Sequence, residues 1–227
     1  MSNKSEIIAE EQSPVLHANS RTHSQHTFRD LLEITLVFAF ILAAVWTPLG
    51  HLNSAVVILA TVCVVIFTIF GRWSAAQMGL TQPASGAVTI LLVGALLCSF
   101  VALIGVLVRF AGPGYHVPWI QAAEYGLWSL AQEFILQAVF FLRWESLLGS
   151  RRAVFASASV YALAHLPSPV LTALSLVGGI AFCELFRRWR NLYLIGLIHA
   201  ALGLMIAASL PDRWMHHMRV GIGYLAR

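Results

Sequence analysis

Charge is what this sequence has least of. Only 11% of its 227 residues are Asp, Glu, Lys or Arg, while 59% are hydrophobic. A soluble domain carries about 25% charged residues, so a water-soluble fold with a polar shell is excluded. Cysteine is scarce as well. Cys63, Cys98 and Cys183 lie far apart, each within or at the end of an apolar run. They lack metal-ligand spacing and read as small packing residues, with no bearing on redox compartment. The start of the chain lacks a basic stretch followed by an apolar run and a small-residue cleavage site, so no cleavable signal peptide is expected. Nothing in the sequence points to nucleic acid as a partner.

Long apolar runs are abundant instead. Seven segments, at about 31–50, 54–71, 86–110, 120–142, 153–166, 170–187 and 192–210, approach the roughly 20 residues that a membrane span needs. The fifth is short and must be shielded by its neighbours. Turn signals separate them, among them "TQPASG", "LGSRR", "LPSP" and "RRWRN". The expected fold class is all-α: a polytopic transmembrane helix bundle of about seven spans. Residues 1–28 form a polar tail, expected to be disordered or loosely helical. Residues 29–210 form the transmembrane domain. Residues 211–227 form a basic, amphipathic C-terminal tail suited to the headgroup region. His17, His23 and His26 are irregularly spaced in the first tail, and the adjacent His216 and His217 lie in the second; neither group reads as a metal site.

Basic residues predict an orientation. With the N-terminus inside, ten Lys and Arg fall on the cytoplasmic side: Lys4, Arg21, Arg29, Arg72, Arg143, Arg151, Arg152, Arg187, Arg188 and Arg190. The other four, Arg109, Arg213, Arg219 and Arg227, fall outside. The count favours N-in/C-out and an odd number of spans. The lipid bilayer is therefore the first expected partner, in a multi-pass protein of a bacterial inner membrane.

Ionisable groups inside hydrocarbon are costly and mark function by default. Glu124 lies near a helix start and Glu184 lies beside Arg187 and Arg188, so both have local explanations. Glu133, His165 and His199 do not. Counted from the cytoplasmic helix ends at about 1.5 Å per residue, they lie roughly 14, 18 and 11 Å deep. Three such groups on three helices at one depth predict a shared polar cavity. Separate structural roles are the plain alternative: a His bridging helices, or a Glu bonded to Gln137 one turn on. A carboxylate with two imidazoles can also activate water and stabilise an oxyanion. The same set can bind zinc with an open position, relay protons, or hold a haem. The residues by themselves leave these open.

Three motifs narrow the choice: "QEFILQ" at 132–137, "YALAH" at 161–165 and "HAALG" at 199–203. In order, interval and helix placement they resemble the CPBP family of intramembrane endopeptidases, which takes in CAAX proteases and bacteriocin-processing (Abi-type) enzymes. The resemblance covers roughly 120–205. It implies an all-helical core with a conical polar cavity and glutamic-type peptide hydrolysis, without a metal or other cofactor. The chain departs from the family pattern at three places. The first Glu of the family's pair is Gln132, its Arg is Gln137, and its final Asn is Gly203. An amide cannot accept a proton from water, so the base expected from the resemblance is Glu133. His165 would assist on the water and His199 would stabilise the oxyanion. Gln132, Gln137 and Tyr161 would be supporting groups. On an ideal helix Gln132 and Glu133 point about 100° apart, so Glu133 requires a rotated or locally unwound helix. The substrate implied is a membrane-anchored or lipid-modified peptide or protein, cut near its end. Two other functions remain: a catalytically inactive scaffold serving immunity or secretion, and a haem- or proton-handling membrane protein. The sequence leaves the oligomeric state open.

Overall fold

The structure, a computed structural model, describes residues 3–108 and 118–226, with the backbone alone for residues 3–23. Every described element is a helix. In chain order they are α1 (Asn3–Trp46), α2 (His51–Ile69), α3 (Ala87–Leu107) and α4 (Trp119–Phe134). Helix α4 passes through a π-helical segment, Ile135–Phe141, into α5 (Leu142–Leu148). Then come α6 (Ser150–Leu163), α7 (Pro169–Trp189) and α8 (Leu192–Ser209). Two single-turn helices, α9 (Asp212–Met215) and α10 (Ile222–Leu225), lie in the C-terminal tail.

Five of these stretches are long and apolar enough to cross a membrane: α2, α3, the continuous Trp119–Leu148, α7 and α8. The protein is thus an integral membrane helix bundle. Of the seven segments expected from sequence, the first is the second half of α1, which starts at Asn3 and runs through the stretch read as a tail. The fifth is α6, whose 14 residues make about 21 Å of helix, short of a core roughly 30 Å thick. It stops at Leu163, four residues ahead of Pro167, whose ring would clash with the carbonyl of residue i−4 in a continuing helix. His165 therefore sits in the turn between α6 and α7, not inside a helix as the span 153–166 implied.

Helix α2 is mostly apolar and has no fully buried residue; its one packed edge, with Val64 and Phe67, rests against Ile34, Val37, Val139 and Phe140. Helices α3 and α8 instead touch closely. A Cβ at Gly94 would come within 2.5 Å of Ile198, and one at Gly105 within 2.6 Å of the Ser209 carbonyl oxygen. Lipid gives no hydrophobic drive for helix association, so small residues that permit van der Waals contact hold such pairs together. Local chemistry fixes the helix starts nearest the site. Ser168 caps α7 by accepting from Leu171 N–H, with Pro169 in the first turn. The fully buried Asn191 caps α8, accepting from Leu194 N–H at 3.1 Å and donating to the Pro83 and Ser85 carbonyls at 2.8 Å each.

An ionic cluster ties one end of the bundle together. Arg143 on α5 is 1% exposed. It pairs with Glu33 of α1, its Nε donating at 2.6 Å. Arg72 donates to Asp30 at 2.5 Å and to Ser146 at 2.6 Å. Arg143, counted from sequence as an interfacial charge, is therefore a buried, paired one. It also donates to the carbonyls of Ala138 and Val139, at 3.2 and 2.9 Å, inside the π segment. Such segments depart from the i→i+4 ladder, and the guanidinium gives these two carbonyls a partner. Glu184 is bound by Arg187 and Arg188 at 2.7 and 2.6 Å, as its spacing predicted. Arg190 closes a second pair with Glu145 at 2.6 Å. The C-terminal tail packs back on the bundle: Gly221 N–H donates to the Leu166 carbonyl at 2.8 Å, and Met215 is buried.

Candidate active site

The site forms where α4 and α8 face each other. Along α4, Tyr125, Ser129 and Glu133 recur every four residues and so share one face. Opposite them, on α8, stand Gly203 and His199, again four apart. Glu133 is completely buried. Its Oε1 accepts from His199 Nδ1–H at 2.9 Å, and its Oε2 accepts from the Gln137 amide at 2.9 Å. With Glu133 ionised its carboxylate only accepts, which puts the proton of the first bond on Nδ1 and leaves Nε2 a lone pair. The Tyr161 hydroxyl stands 3.2 Å from that Nε2 and is the donor there. Phe182 stacks on the His199 ring, 5.2 Å between centroids, and fixes its plane.

His165 joins from the α6–α7 turn. Its Nδ1 lies 2.8 Å from the Tyr161 carbonyl oxygen, which can only accept. The proton is again on Nδ1, and Nε2 is the free acceptor. Tyr161 touches both imidazoles, 4.7 Å from His165 and 6.1 Å from His199 between ring centroids. Glu133, His165 and His199, which share an expected depth in the sequence, are thus linked through one tyrosine.

A cavity of about 760 Å³ opens beside this group. Tyr125, Gln132, Tyr161, His165, His199 and Gly203 contribute to its wall. Most of the remaining lining is apolar and comes from α1, α2, α4 and α7. Glu133 is not on the wall: it stands behind His199 with both oxygens engaged. Direct attack on cavity water by Glu133 does not fit this arrangement, and what it can do is orient and polarise His199. Nor does His199 fit the part of oxyanion donor, since Nδ1–H is committed to Glu133 and Nε2 accepts. Gln132 does line the cavity, about 100° around the helix from Glu133. The sequence reading passed over Tyr125, Ser129 and Phe182. The first two had a visible signal, the four-residue polar stripe running up to Glu133.

Other chemistries fit less well. Both nitrogens of His199 are occupied, so it has none to offer a haem iron. No group of three or more His, Cys, Asp or Glu suited to a metal ion occurs among the described residues. Cys63 and Cys98 are half-buried and Cys183 is buried, all three as free thiols.

Residues 115–205 match the family model described as Type II CAAX prenyl endopeptidase Rce1-like. Over that stretch the chain is similar to the CAAX-protease family. The match takes in all three motifs and every residue of the buried relay, Glu133, Gln137, Tyr161, His165 and His199. The Rce1-like family is one of proteases, and a membrane peptidase of CAAX-protease type is the class it supports here. No curated protein and no solved structure matches the chain.

Proposed function

We propose that this Rce1-like protein is an intramembrane endopeptidase that hydrolyses a membrane-anchored or lipid-modified peptide near its end. The observation that carries the reading is the relay from Glu133 through His199 to Tyr161, buried at one end and open to the cavity at the other. Water in the cavity is held between two acceptors, His165 Nε2 and the Tyr161 oxygen. As the water oxygen attacks the scissile carbonyl carbon, its proton passes to the Tyr161 oxygen, and the phenol proton moves to His199 Nε2. Glu133 keeps Nδ1–H in place and stabilises the imidazolium that forms, which is how a buried carboxylate contributes to base catalysis. The tetrahedral intermediate collapses by breaking the C–N bond, and the proton returns along the same path to the leaving amine. One carboxylate and one amine product result, and the relay ends as it began.

The apolar lining suits an acyl or isoprenoid chain, in keeping with the family's description as a CAAX prenyl endopeptidase. A non-cleaving scaffold is the second reading. It is favoured by Gln132 on the cavity wall, where an amide cannot take a proton from water. The test compares membranes of cells carrying the wild-type chain with those carrying His199→Ala, by mass spectrometry of protein termini. Termini present only with the wild type support the peptidase. Identical sets of termini from the two strains at equal expression refute it in favour of the scaffold.

A further inference from the structure

With His199 committed as an acceptor, the reaction proposed above still needs a donor for the oxyanion. We infer that Tyr125 is that donor, its phenol hydroxyl binding the carbonyl oxygen of the scissile peptide as charge develops there. The inference rests on the peptidase reading and adds a catalytic residue to it.

Gly203 provides the strongest observation. A Cβ built at this position would lie 1.9 Å from the Tyr125 hydroxyl oxygen and 2.7 Å from the ring carbon that bears it. Only glycine leaves room for the phenol head to rest against α8. Position 203 is one turn from His199 on the same helix face, where side chains are about 5–6 Å apart at Cβ. The absence of a side chain on α8 therefore admits a hydroxyl from α4 next to the base. Tyr125 and Gly203 both contribute to the cavity wall beside His199 and Tyr161. Ser129, one turn along from Tyr125, is fully buried beside the Tyr125 phenol, with which its hydroxyl can share a hydrogen bond. This corner holds polar capacity that packing alone does not require. The two tyrosines divide the work: Tyr161 points at the base and handles the proton, while Tyr125 lies on the α8 side and holds the oxygen.

The test uses the full chain in membranes and the substrate defined by its His199-dependent terminus. Tyr125→Phe keeps the ring against Gly203 and removes only the O–H. The terminus should appear about 10²–10³-fold more slowly, the usual effect of losing one oxyanion donor, while uncleaved substrate co-purifies with the variant as it does with a His199→Ala control. Gly203→Ala, which displaces the intact hydroxyl, should slow the reaction in the same way. Cleavage at the wild-type rate in Tyr125→Phe overturns the donor role. So does a loss of rate and substrate binding together, which would make Tyr125 a packing residue. A rate loss in Gln132→Leu that is absent from Tyr125→Phe would move the donor to the Gln132 amide. If His199→Ala abolishes no terminus, the peptidase reading itself has failed and the donor role falls with it.

Discussion

Replacing Glu133 by Gln changes one atom and tests the relay. In the native site both carboxylate oxygens accept, one from His199 and one from Gln137. A Gln at 133 has one oxygen and one NH₂, so one of these bonds would become donor against donor. Gln137 can resolve this, because its own Oε1 is buried without a partner. Flipping that amide lets Oε1 accept from the new NH₂, while the new oxygen keeps the His199 Nδ1–H. The fold should survive, with a melting temperature close to that of the wild type. What disappears is the negative charge beside the imidazolium. At about 4 Å and an effective dielectric near 20 that charge contributes on the order of 4 kcal/mol, or about 10³ in rate at roughly 1.4 kcal/mol per decade. The assay is the rate at which His199-dependent termini appear at matched expression, with 10²–10³-fold slowing expected. A folded Glu133→Gln variant that cleaves at the wild-type rate would refute the relay. Tyr161→Phe separates this relay from direct proton abstraction by Glu133. The relay loses its proton path in that variant and slows at least tenfold, whereas a directly acting carboxylate would be unaffected.

Arg143→Leu should destabilise the protein, but by less than the roughly 3–5 kcal/mol of a fully unpaired buried charge, because Glu33 loses the buried one of its two partners and keeps Arg29 at 2.7 Å. Thermal melting in detergent checks this, and Glu33→Gln with Arg143→Leu should recover part of the loss. Reporter fusions at residues 5 and 225 should give opposite signals if the chain runs N-in/C-out through an odd number of spans, and matching signals would overturn that topology. Purified protein should contain far less than one zinc per chain by elemental analysis, and a stoichiometric amount would return the site to metal chemistry.

The parts of this site that were legible in the sequence are those governed by local spacing or by cost. Glu133, His165 and His199 stood out because an ionisable group in hydrocarbon needs a reason, and counting residues from the helix ends placed them at one level. The structure joins Glu133 to His199 directly and reaches His165 through Tyr161. Glu184 was explained by residues three and four away, and its bonds are the ones that spacing allows. The ending of α6 before His165 was also in the sequence, in Pro167, although the apolar run continues past it.

Pairing at long range was not legible. Glu33 and Arg143 are 110 positions apart, and nothing local in either stretch announces the other. Their bond matters to the site because Arg143 also serves the π-segment carbonyls immediately beyond Glu133. Hydrophobic periodicity does not reveal the π segment, because apart from Gln137 its residues are all apolar and the register shift moves one apolar residue into the place of another. The division of labour between Gln132 and Glu133 was hidden for a related reason. Sequence places them about 100° apart but does not say which of the two faces the cavity. The structure puts the amide on the wall and the acid behind the imidazole. Among the described residues the cavity wall thereby carries no carboxylate, and Glu133 meets it only through His199. In the proposed relay Tyr161 and His199 carry the water proton while Glu133 only stabilises the imidazolium, so an amide at 132 is compatible with the chemistry provided His199 Nε2 is free to accept.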